Sequence, residues 1–200
     1  IWARYKNIII PTAATVFAVA GLELADNLPF ALDPNIHPLE PVLSSNFWLT
    51  IHVLTITLSY AAFGLSLALG HVVLGNYLFF PKQVERTQQL TLYMYRSQQI
   101  GVILLAAGTI LGGVWADYSW GRFWGWDPKE VWALIALLLY LAVLHGRFTG
   151  WLKGFGFVAV TVIAFLGVLM AWYGVNFVLG VGLHSYGFGS GGIQYVTFYV

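Results

Sequence analysis

A chain of 200 residues that is 59% hydrophobic and only 8% charged, with a mean hydropathy of +0.77, is not a water-soluble globular domain, because such domains carry charge on about a quarter of their residues. Its net charge of +1 gives no electrostatic footing for a nucleic-acid partner. The absence of cysteine excludes a disulfide relay and a thiolate metal site within the chain, which leaves histidine as the strongest candidate ligand.

In chain order, apolar segments fall near residues 7–22, 46–80, 98–115, 129–149 and 154–183, and a bilayer core takes about 20 apolar residues per helix. The fold class expected is therefore an all-α polytopic membrane protein of about five transmembrane helices, with an external Trp-rich loop. Residues 1–45 read as a first transmembrane helix and a loop whose prolines (Pro29, Pro34, Pro38, Pro41) forbid a long helix. Residues 46–200 read as the core, with the Trp-rich segment at 115–132. The stretch PKQVERTQQLTLYMYRSQQ between the second and third segments predicts a short amphipathic or interfacial helix, and GFGSGG at 187–192 a flexible terminus. The chain opens IWARYKN without Met, so a piece of a longer protein is expected, and no cleavable signal peptide is discernible.

Orientation follows from basic residues, which concentrate in cytoplasmic loops. Arg4, Lys6, Lys82, Arg86, Arg96, Arg147 and Lys153 all fall on one side of the alternating segments, which is assigned to the cytoplasm. The other side holds Arg122 and Lys129 with seven of the eight acids. The Trp-rich segment is then external.

That segment reads WADYSWGRFWGWDPKEVW and holds five of the nine tryptophans. A membrane-interface belt would spread its aromatics over many helix ends. Concentration in one place suits a platform for a large planar apolar ligand, with Trp115, Trp120, Trp124 and Trp126 as its faces. Asp127 and Pro128 fit the N-cap and first position of the following helix, giving the platform a rigid edge.

Ionisable residues inside membrane spans are costly and mark function by default. His52 lies near the external end of the second segment, and His184 follows the fifth, so both fall on the Trp-rich side. Two imidazoles converging on an aromatic platform suit bis-His ligation of a haem iron. The plainer reading leaves His52 bonded to a neighbouring helix and His184 on an exposed tail. His145 lies about 24 Å of helix rise below Lys129, near the inner face, and cannot reach the same iron. It would need a second site, with Arg147 placed to pair with a propionate and its other ligand from His71 or a partner.

At these residues the chain resembles a known family. WGRFWGWDPKE at 120–130, LHGRFTGW and the closing VNFVLGVGLHSYGFG are similar to the WWD-domain haem-handling proteins, and among them to the cytochrome c-type biogenesis family CcsA (ResC), including its CcsBA fusions. The resemblance covers about residues 46–190. It implies haem b carried as cargo across the membrane to an external WWD site, ligated there by His52 and His184, with His145 as the transmembrane histidine. It further implies covalent attachment to an apocytochrome c bearing CxxCH, and a CcsB (ResB) partner or fused half without which the synthase and its inner site are incomplete. The membrane expected is the bacterial inner membrane, with the thylakoid as the other setting. Rival readings are a haem exporter of the CcmC or CcmF kind that presents haem to a chaperone, and a cofactor-free structural subunit.

Overall fold

A computed structural model describes residues 8–27, 43 and 47–184. The Pro-rich stretch after the first helix and the Gly-rich 187–192 lie outside the described residues. Within them the chain is all helix: α1 Ile9–Asn27, α2 Phe47–Phe79, α3 Val84–Trp120, α4 Pro128–Phe148 and α5 Gly154–Leu169, which continues without a break as a π-helix, Met170–Leu179. Four stretches, Phe47–Phe79, Val84–Trp120, Pro128–Phe148 and Gly154–Leu179, are long and apolar enough to cross a membrane, and α1 adds a shorter apolar helix. The protein is thus a multi-pass membrane protein.

Two expectations about segment ends need correction. The third span does not start near 98: α3 begins at Val84 and runs for 37 residues. The polar run predicted as a separate interfacial helix is its first four turns. It stays helical because Thr87, Leu90, Thr91, Tyr93, Met94, Ser97 and Gln98 are buried by neighbouring elements, so tertiary packing carries the helix past its apolar part. At the other end α3 extends to Trp120. Trp115 and Trp120 are therefore helical residues, and the loop proper is only 121–127.

The bundle is built on the α2–α3 pair. In lipid, helices associate through close van der Waals packing, which favours small residues at the interface. Gly101, Gly108 and Gly112 lie along one face of α3, and a Cβ at each would stand 2.6–2.7 Å from Phe63, Ile56 and His52 of α2 respectively. This antiparallel ladder sets the register of the two helices, and its last rung places His52. Phe63 also stacks on Tyr140 of α4, with ring centres 3.9 Å apart. Helix α5 packs on α2 and α4, and α1 on α2. The core comprises Phe63, Leu69, Met94, Leu105, Tyr140 and Phe157 among others.

Candidate functional site

At the Trp-rich end, α4 begins with a reciprocal cap. An Asp carboxylate before the first turn accepts orphan amides that the helix cannot pair itself. Asp127 Oδ1 accepts from Lys129 N at 3.1 Å, and Glu130 Oε2 reaches back to Asp127 N at 3.1 Å. Pro128 stands at the first helical position, as expected. Glu130 does more: Oε2 also accepts from Gly125 N at 2.8 Å, and Oε1 pairs with Arg122 at 2.9 Å. One carboxylate therefore holds the amides on both sides of Trp126. That residue is in the left-handed region at φ 58°, a conformation that costs a bulky residue energy unless its surroundings impose it. The residue is 71% exposed.

Asp127 also reaches across the fold. Its Oδ2 accepts from Leu183 N at 2.6 Å, and its Oδ1 accepts from His184 Nδ1 at 2.8 Å. The chain returns to it because the π-helix ends at Gly180 and turns through Gly182 at φ 100°. A Cβ at Gly182 would strike Asp127 Oδ2, so only glycine allows the approach. The π-helix packs on α4 and turns Asn176 inward, where Lys129 Nζ donates to its side-chain oxygen at 2.9 Å. Local π-helical turns often mark functional sites. Burial lowers the His184 pKa, against the pull of the Asp127 carboxylate beside it, so the imidazole is neutral near pH 7.

His52 meets this cluster from α2. Its Nδ1 donates to the Gly108 carbonyl at 2.8 Å, and its ring is parallel to that of Trp115, with centres 6.5 Å apart. Trp115 stands 6.1 Å from the His184 ring, and Trp120 lies 5.0 Å from the same ring. Both histidines line one pocket, with Thr109, Gly112, Phe123, Trp124, Lys129 and Glu130. In each, Nδ1 carries the proton it donates, which fixes the tautomer with the lone pair on Nε2. A second acceptor that orients the ring in this way is the regular accompaniment of a metal-ligating histidine.

The residues read as the site from sequence are thus partly assembled. His52, His184, Asp127, Trp115, Trp120 and Trp124 are gathered at one end, with Trp126 projecting from the same loop. Trp115 differs from the platform expectation in being buried, at 1% exposure; its Nε1–H has no hydrogen-bond partner among the described residues. His145 and His71 are not part of the cluster. Each is exposed on its own helix, its Nδ1 bonded to the carbonyl one turn back, Leu141 at 2.7 Å and Leu67 at 2.9 Å. Arg147 lies over the rings of Tyr95 and Phe157. Sequence reasoning left Glu130 and Lys129 without assigned roles and missed Asn176 and Gly182. The spacing of Glu130 three residues after Asp127 was a readable capping-box signal; the Lys129–Asn176 contact had none.

The donor count narrows the chemistry. Among the described residues no three His, Asp or Glu side chains gather to hold a metal ion. A bare divalent ion needs three or four protein ligands, whereas a porphyrin fills four positions of its iron and asks the protein for one or two. Two imidazoles with fixed tautomers, in one pocket with the Trp124 side chain, match the second donor count.

The comparison with known sequences shows the class: the chain belongs to the cytochrome C assembly protein family, whose profile matches residues 4–184. It is 44% identical over 189 residues to Protein NrfI of Wolinella succinogenes, an alignment covering 91% of this chain and 20% of that protein. It is 37% identical over 209 residues to the cytochrome c biogenesis protein CcsA of Prochlorococcus marinus, covering 90% of this chain and 65% of that one. The chain thus spans a fifth of the first relative and just under two thirds of the second.

Proposed function

We propose that this chain holds haem b as cargo between His52 and His184 at the Trp-rich end and presents it for covalent attachment to an apocytochrome c. The observation that carries the reading is that both imidazoles line one pocket, each with its Nδ1 already committed, to Gly108 O and Asp127 Oδ1. In each, Nε2 is then the ring nitrogen that would ligate the iron. Phe123 and Trp124 supply aromatic surface in that pocket, and Lys129 supplies a cation there, suited to a propionate.

In the attachment step each thiol of a CxxCH segment adds across a haem vinyl group. Sulfur bonds to one vinyl carbon and the thiol proton goes to the other, with no net oxidation. The work of this chain is positioning, which alone is worth a large part of a bimolecular barrier. The Trp-rich end is assigned to the external face, because Lys82, Arg86, Arg147 and Lys153 lie at the opposite ends of the helices and Arg96 in the opposite half of α3. His145, exposed on α4 near that opposite end, belongs to an inner haem site completed by a CcsB-type partner or fused half.

The test uses the full-length protein purified with its haem. Incubation with a reduced CxxCH peptide is expected to give haem that stays on the peptide through acid extraction. Haem that remains extractable, or passes intact to a chaperone, contradicts attachment and favours an exporter. A protein without haem from haem-replete cells contradicts haem handling altogether.

A further inference from the structure

We infer that the two imidazoles are unequal ligands: His184 is the one retained on the iron, and His52 marks the position at which an incoming imidazole exchanges. The inference rests on the haem site proposed above and goes beyond it, since the site as such is symmetric in its ligands.

The asymmetry lies in what accepts each Nδ1 proton. His184 donates to a carboxylate at 2.8 Å, and His52 to a neutral backbone carbonyl at 2.8 Å. Equal lengths make the charge of the acceptor the difference. Hydrogen bonds to ionised acceptors are about twice as strong as neutral ones, and an anionic partner draws the proton outward, leaving more electron density on Nε2 and a stronger metal bond. A carbonyl does the same more weakly.

Mechanical hold does not offset this. His52 is seated on Gly112 in the α2–α3 ladder. His184 follows a turn, but that turn is tied to both oxygens of Asp127, whose side chain is 3% exposed. Asp127 is in turn fixed by Lys129 N and Glu130. Both rings are held, so donor strength decides which bond yields. Release then breaks the iron bond to His52 as a bond to the incoming imidazole forms. One neutral imidazole replaces another, and neither protons nor electrons are left over. Asp127, at the helix start, is a positioning residue that selects the side from which a haem-accepting histidine approaches.

Carbon monoxide is the probe, because it replaces the weaker axial ligand of ferrous haem and its stretching frequency reports the ligand opposite. The full-length protein, reduced under carbon monoxide, is compared with H52A and H184A, each loaded with haem in the presence of imidazole. Wild type and H52A are expected to share one C–O stretch, with H184A apart. In D127N the stretch is expected to shift, and haem retention to fall about 10–100-fold, the usual effect of losing an outer-shell partner. A stretch shared by wild type and H184A, with H52A apart, overturns the inference while leaving the haem site standing. If D127N does not fold, the histidine comparison decides alone. Absence of haem from wild type overturns the site reading itself.

Discussion

Asp127 joins the start of α4 to His184: the carboxylate that accepts Lys129 N also accepts His184 Nδ1 at 2.8 Å and Leu183 N at 2.6 Å. A helix cap and an imidazole support are the same group. Asp127→Ala should therefore cost more than a cap alone. Loss of an N-cap costs about 1 kcal/mol, and the stranded Leu183 amide and His184 Nδ1–H add to it. The check is a lowered thermal midpoint in detergent together with a lowered haem-to-protein ratio. Loss of stability with full haem content would show that the cap and the His184 support are separable.

Gly112 is the contact through which α3 places His52. A Cβ there would stand 2.6 Å from His52 Cε1, whereas a Cβ at Gly75 meets nothing within 4 Å. Gly112→Ala is expected to destabilise by about 1–3 kcal/mol through overpacking and to reduce haem content. Gly75→Ala is expected to be neutral or stabilising by up to about 1 kcal/mol. Equal haem in the two variants would mean that the glycine ladder does not set His52.

Glu130 imposes the strained turn at Trp126 by binding Gly125 N and Asp127 N through one oxygen. Glu130→Ala releases both amides and Arg122, and should open residues 121–127 to proteolysis. Trp126→Gly should be tolerated or stabilising, since glycine adopts φ 58° at little cost. If Glu130→Ala leaves cleavage unchanged, the carboxylate is not what holds the loop.

Acid should loosen the His184 tail. The folded-state pKa of His184 lies below its ordinary 6.5, chiefly through burial, so folding favours the neutral ring. The stability linked to that ring is fully present above the ordinary value and is lost as pH falls below it toward the folded-state value. Haem-free wild type should therefore lose thermal stability as pH falls below about 6.5, and His184→Gln should flatten that profile. An identical slope in the two would assign the acid sensitivity to another group.

Much of this was legible in the sequence. The apolar runs mark the membrane helices because lipid imposes length and composition directly. Asp127-Pro128 announces the α4 start because capping is local chemistry, and Phe47–Phe79 and Pro128–Phe148 match the segments expected. The beginning of α3 was not legible, since its polar first turns are helical through burial by other elements, which periodicity does not reveal. Nor was the Asp127–His184 bond, which joins residues 57 positions apart and depends on a π-helical end no local signal marks. The placement of Trp115 shows the same limit: its cluster suggested an open face, yet α3 carries it into the interior, at 1% exposure.

The central claim is that His52 and His184 together hold haem at the Trp-rich end. The most direct measurement is the visible and magnetic circular dichroism spectrum of the full-length protein as purified, beside H52A and H184A. A low-spin, six-coordinate bis-imidazole spectrum is expected in wild type, with loss of haem or a change of spin state in each variant and recovery on adding imidazole. An unchanged low-spin spectrum in both variants would contradict the assignment.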